Sequence, residues 1–217
     1  MVKILFEDNH LIAAFKKSGQ TVQPEPNKPL SLEEEVKGYV KEKYQKEGAV
    51  FLGVIHRLDM PVSGVVLFAR TTKALARMNE LFHDRLVGKF YEAWVENTPP
   101  SNEGLLTHYL KRDENKNFTK AFISEVRQAD KAQLKYKLLK KSANKSLLSI
   151  ELLTGRKHQI RAQLSAIGCP IVGDLKYGAS RPFSDGMIAL QSCKLTFIHP
   201  VKNEAVVIAS EGINHLF

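Results

Sequence analysis

Four strand-like runs follow one another in the middle of the chain, at residues 89–96, 119–126, 132–140 and 146–153. The first alternates strictly, with Tyr91, Ala93 and Val95 pointing one way and Phe90, Glu92, Trp94 and Glu96 the other. Only short polar or turn-like stretches part the last three. Strands joined this directly suggest a largely antiparallel sheet.

Other elements gather round this block. Residues 4–6 and 11–15 read as two strands about an Asp8-Asn9-His10 turn. Ser31 and Glu34 have the spacing of a capping box. Leu32, Val36, Tyr39, Val40 and Tyr44 follow at helical intervals, so a helix should run to about Gln45. A strand at 65–69 precedes a second helix, capped by Thr71 or Thr72 and broken by Gly88, whose apolar face is Leu75, Met78, Leu81 and Phe82. Residues 157–167 give a third helical pattern, ended by Gly168. Strands at 187–193, 195–198 and 205–209 complete the chain. Helices scattered among directly joined strands predict an α+β fold. We expect one domain over residues 1–217, with a large, mostly antiparallel mixed sheet flanked by helices.

Hydrophobic residues make up 43% of the chain, an ordinary share for a globular protein. No apolar run approaches the roughly 20 residues of a bilayer-spanning helix. Glu7 and Asp8 stand where a signal peptide would continue its apolar stretch, which predicts a cytoplasmic protein. Cys169 and Cys193 form no C-x-x-C pair and the histidines have no ligand spacing, so zinc is not expected, and in a chain read as cytoplasmic neither is a disulfide. The net charge of +9 points toward a polyanionic partner. A membrane surface fits less well, because no basic amphipathic helix presents Trp or Phe on its opposite face.

Two polar stretches carry potential chemistry. His56-Arg57-Leu58-Asp59-Met60-Pro61-Val62-Ser63-Gly64 places a carboxylate beside an arginine and a histidine, just ahead of the 65–69 strand. A carboxylate serves as nucleophile or base when a nearby guanidinium keeps it ionised. The second stretch, Thr154-Gly155-Arg156-Lys157-His158-Gln159-Ile160-Arg161, opens the third helix, where cations and backbone N–H groups suit phosphate. Neither stretch completes a kinase catalytic loop, a P-loop or a nucleophile elbow. The lysine-rich run 137–145 reads as a solvated strand end and turn, with an RNA-backbone patch as the alternative.

Together these stretches resemble the RluA-type pseudouridine synthases, whose signature reads H-R-L-D, three variable residues, then S-G. Three further segments resemble the same family: Lys89-Phe90-Tyr91-Glu92-Ala93, residues 168–178 and residues 190–200. Gln163 and Cys169 stand where many members have histidine. The resemblance implies an RNA isomerase that converts a chosen uridine in ribosomal or transfer RNA to its carbon-linked isomer, without metal or cofactor. Asp59 would be the essential carboxylate. Attack on sugar or base, removal of a sugar proton, and balance of sugar charge all remain open to it. Tyr91 would stack on the base, Arg161 would pair with Asp59, and Leu190 would form an apolar floor. Arg57 would fill the gap left by the flipped uridine. Arg156, His158 and Gln159 would contact the RNA backbone. The expected partner is an RNA stem-loop and the expected state a monomer. The competing class is a non-catalytic RNA-binding protein on the same fold. A third reading is a hydrolase that releases free base.

Overall fold

The computed structural model describes residues 2–216, the side chain of Asp185 excepted. The chain forms an α+β fold in which two compact units are distinguished: Met1–Val87 with Ser192–Glu211, and Gly88–Gln191 with Gly212–Phe217.

In the first unit, β1 (Lys3–Glu7) pairs with β2 (Leu11–Lys16) across a turn in which the Asp8 carboxylate accepts the backbone N–H groups of His10 and Leu11. β2 pairs in turn with β4 (Ser63–Ala69), which also carries the two-residue β3 (Gly53–Val54). β10 (Leu190–Ile198) lies next to β4 and bears β11 (Ala205–Ala209). Residues Val65 to Ala69 are wholly buried, so this strand is covered on both faces, and that is why its sequence is a continuous apolar run rather than an alternation. Helix α1 (Leu32–Lys43) starts with the complete Ser31–Glu34 capping box. Helix α2 (Thr72–His83) is capped by the Thr71 hydroxyl and buries Ala74 and Met78 against β2, β4 and β10 residues. It ends at His83, with Arg85 left-handed at φ 61°, and Gly88 belongs to the next strand.

In the second unit the strand order is β5-β9-β8-β6-β7, antiparallel throughout. The ranges are β5 (Gly88–Glu96), β6 (Glu103–Asp113), β7 (Phe118–Phe122), β8 (Asp130–Ser142) and β9 (Lys145–Leu152). Trp94 is fully buried, and its indole N–H donates to the Ile213 carbonyl at 2.8 Å. Helix α3 (Gln159–Ala166) starts two residues later than expected because His158 is left-handed, at φ 55°. Gly168, at φ 74°, follows its end, and a 3-10 turn spans Leu175–Tyr177.

Three differences from the sequence reading have physical causes. β6 was not anticipated: Gly104 and several polar residues interrupt its apolar pattern, and Leu105 is exposed. β3 is too short to leave a periodic signal. The runs 187–193 and 195–198 are one strand, because Lys194 continues the ladder to Ala209 of β11.

Candidate active site

Asp59 sits in the first unit, in a turn held mainly through its backbone. The Asp59 carbonyl accepts the Val62 N–H at 3.0 Å, closing the turn over Met60 and Pro61. The next two carbonyls are tied to the segment after β2. Met60 accepts the Gly19 N–H at 2.9 Å, and Pro61 accepts the Ser18 hydroxyl at 2.8 Å. Leu58 and Val62 are buried on either side of the turn, while Arg57 and Met60 are exposed. His56 anchors the approach. The Leu67 N–H of β4 donates to its Nε2 at 3.0 Å, and its ring stacks on Phe82 of α2. Accepting that bond requires an unprotonated Nε2, so the neutral ring carries its proton on Nδ1.

Lys16, the last residue of β2, is fully buried beneath this turn. Its ammonium donates to the carbonyls of Lys17, Gln20 and Met60 at 2.9, 2.7 and 3.0 Å, one acceptor for each of its three protons. Burial pushes its pKa down to about 8, and the Asp59 carboxylate pulls against that shift. Lys16 thus ties the end of β2 to the turn that carries Asp59, a part the sequence reading missed. Its one signal was a lysine closing the apolar strand Leu11–Lys16. Gly64 explains the glycine of the motif. It has φ 122°, and a Cβ there would lie 2.2 Å from the Ser192 carbonyl oxygen.

Arg161 sits in the second unit and is held through side chains. Its Nε and Nη2 donate to the Asp174 carboxylate at 2.6 and 2.8 Å, and both residues are buried. Its guanidinium lies over the Tyr177 ring at 4.8 Å. The Tyr177 hydroxyl meets His158 Nδ1 and receives the Thr119 N–H, each at 2.9 Å. Gln159 organises the preceding loop. Its amide oxygen accepts from the Thr154 hydroxyl and the Arg156 N–H, and its amide nitrogen donates to the Gln133 carbonyl and to Gln163. The Arg156 N–H is therefore engaged within the protein, where the sequence suggested an open phosphate donor. His158 and Gln159 are buried, whereas the Arg156 side chain is exposed, 3.4 Å from Asp130. Asp174 and Tyr177 were missed as functional residues. The 168–178 segment flagged them as family-like but assigned them no part.

Tyr91 and Leu190 also belong to the second unit. Tyr91 lies on β5 opposite Ile150, and Leu190 begins β10; both are buried. Among the described residues, no group of three or more His, Cys, Asp or Glu could hold a metal ion, and no helix is long and apolar enough to cross a membrane.

Residues 10–166, a stretch that contains Asp59, Tyr91 and Arg161, match the family described as RNA pseudouridylate synthase. The chain belongs to that family. Ribosomal large subunit pseudouridine synthase D of Zymomonas mobilis is 30% identical over 97% of this chain and 69% of its own length. Ribosomal large subunit pseudouridine synthase C of Rickettsia typhi is 35% identical over 81% of the chain, which spans only 56% of that relative. The tRNA pseudouridine synthase C of Vibrio parahaemolyticus is 27% identical over 95% of the chain and 89% of its own length. Two solved human structures, RNA pseudouridylate synthase domain containing 4 and domain containing 1, share the fold, with TM-scores of 0.80 and 0.78 at 22% and 21% identity. An RNA pseudouridylate synthase is an isomerase: it converts uridine in RNA to pseudouridine, and the catalytic reading prevails over a purely RNA-binding one.

Proposed function

We propose that this enzyme isomerises a specific uridine in a stem-loop of ribosomal or transfer RNA, with Asp59 as its essential carboxylate. The observation that carries the proposal is the Asp59 turn itself. Backbone bonds and a buried lysine fix it, while its flanking Arg57 stays exposed. Its side chain is thereby presented from a rigid edge, as a reacting group requires. Breaking the N-glycosidic bond, turning the uracil and rejoining it through carbon 5 calls for a carboxylate that attacks, removes a proton or balances charge on the sugar.

In this reading Tyr91 stacks on the uracil, Leu190 forms the floor beneath it, and Arg57 fills the gap in the RNA. Arg161 partners Asp59, with its planar fork oriented by Asp174. Arg156 contacts the RNA backbone. His158 and Gln159 move from direct RNA contacts to positioning residues, because exposing either to RNA would break the hydrogen bonds that shape the loop. Both units together form one catalytic domain, working as a monomer in the cytoplasm. Relatives named for ribosomal and for transfer RNA support either substrate.

Pseudouridine mapping of ribosomal and transfer RNA from cells with and without the protein tests the proposal. One or a few sites should vanish in its absence and return with the wild type but not with Asp59→Asn. Free uracil in place of pseudouridine would make the enzyme a hydrolase instead.

A further inference from the structure

The β6–β7 hairpin and Lys176 line an open surface groove of about 720 Å³ on the second unit. Five cations line it: Lys111, Arg112, Lys116, Lys120 and Lys176. Asp113 and Glu114 are its two acids, so it carries an excess of three positive charges. Both acids are engaged locally. Glu114 lies 3.3 Å from Arg112, and Asp113 accepts the Lys116 backbone N–H at 3.1 Å. Two aromatic rings, Phe118 and Phe122, complete the walls. Phe118 stacks on Tyr177 at 4.7 Å between ring centres, and the Lys120 ammonium sits 5.1 Å from the centre of the Phe122 ring.

Cations alone accept any polyanion, including duplex RNA and acidic peptides. Rings among the cations favour a polyanion that also offers flat unpaired bases, which is single-stranded RNA. The groove is built onto the Arg161 loop. Tyr177 carries Phe118 on its ring, with the Arg161 guanidinium 4.8 Å from the ring centre. The Thr119 hydroxyl donates to the Lys157 carbonyl at 3.0 Å, and the Lys176 ammonium donates to the Asn117 carbonyl at 3.3 Å. RNA lying in the groove is thus two side-chain contacts from Arg161.

We infer that this groove binds unpaired nucleotides of the substrate RNA beside the target uridine, its lysines taking phosphates and Phe122 taking a base. The inference rests on the pseudouridine-synthase reading and extends it to a second anchoring surface.

Anisotropy with a labelled oligouridylate of about 12 nucleotides, a length within single-strand site sizes, and with a matched duplex reads the groove directly. Replacing Lys116, Lys120 and Lys176 together by alanine should weaken oligouridylate binding about tenfold. It should also cut the slope of log affinity against log salt by about 2, near 0.7 per lost phosphate contact. Phe122→Leu, which keeps the apolar volume, should weaken the single strand about fivefold and leave the duplex unchanged, and Phe122→Tyr should restore binding. An unchanged salt slope in the triple variant, or equal losses on both probes in Phe122→Leu, would overturn the inference. Turnover on RNA extracted from cells lacking the protein separates the two levels. A wild type that forms no pseudouridine removes the functional reading and the groove with it. A wild type that forms pseudouridine beside a triple variant with unaltered KM removes the groove alone. The expected result is a KM raised about tenfold, as phosphate contacts predict.

Discussion

The turn that carries Asp59 is fixed by main-chain carbonyls, which receive a lysine, a serine and backbone N–H groups. The loop that carries Arg161 is fixed by side chains: a buried ion pair, a stacked tyrosine and a chain of amides. The first arrangement leaves the identity of the reacting side chain largely independent of the scaffold, because carbonyls are supplied by any sequence. The second makes identity and stability inseparable. A mutation at the tip of the first turn should therefore act on chemistry, and one inside the second loop on folding as well.

The largest effect expected is at Asp59. Asp59→Asn preserves volume and the carbonyl bonds of the turn, so turnover should fall about a thousandfold or more, while the urea midpoint drops only by the lost attraction to Lys16. RNA affinity should stay within about threefold, since phosphate contacts dominate it. A variant that keeps a tenth of wild-type turnover breaks the assignment.

Asp174→Ala probes the other side of the comparison. It strands a buried guanidinium, which costs about 3–5 kcal/mol of stability when a buried pair is broken from one end. Removing Arg161 as well should recover part of that loss in a double-mutant cycle read by urea unfolding. A loss below about 1 kcal/mol would place this pair among those that contribute little, as exposed bridges do.

Lys16 offers a test by pH. The folded protein releases the Lys16 proton near pH 8, whereas the unfolded chain keeps it to about 10.4. Between those values the unfolded state binds the extra proton, so this residue makes stability rise with pH, by on the order of 1 kcal/mol per pH unit. Lys16→Met should abolish its part of the rise. Asp59→Asn should start it at lower pH, because the opposing carboxylate is gone. Identical slopes in wild type and Lys16→Met, measured by denaturant titration from pH 7.5 to 10.5 as that window requires, would show that Lys16 stays charged throughout.

Tyr91→Phe is the mildest case for stability. It keeps the ring on β5 and should cost about 1 kcal/mol or less. Turnover should fall much further if the hydroxyl moves a proton, and equal small losses in both would return Tyr91 to the core.

The elements with strong local signals were legible in advance. The capping box of α1, a threonine cap for α2 at Thr71 or Thr72 and the strand at Val65–Ala69 each depend on neighbours in sequence, and the structure selects Thr71. β6 was not legible, because its pairing with β7 and β8 rather than its own pattern makes it a strand. The same divide runs through the site. Asp59 and Arg161 stand in contiguous motifs. Asp174 and Lys16 matter through partners 13 and 44 residues away, Arg161 and the Met60 carbonyl, and no local pattern announces such distances. His158 and Gln159 looked like surface polar residues because a buried amide network has the composition of a solvated one.

Trp94 gives the second unit an optical label of its own. It is the only tryptophan in the chain, fully buried and hydrogen-bonded to Ile213. Its fluorescence therefore reports the packing around β5, whereas far-ultraviolet dichroism weighs the helices and strands of the whole chain. Coincident transitions by the two probes would identify a single cooperative molecule; separated ones would show that the surroundings of Trp94 open apart from the rest, without any added dye or mutation.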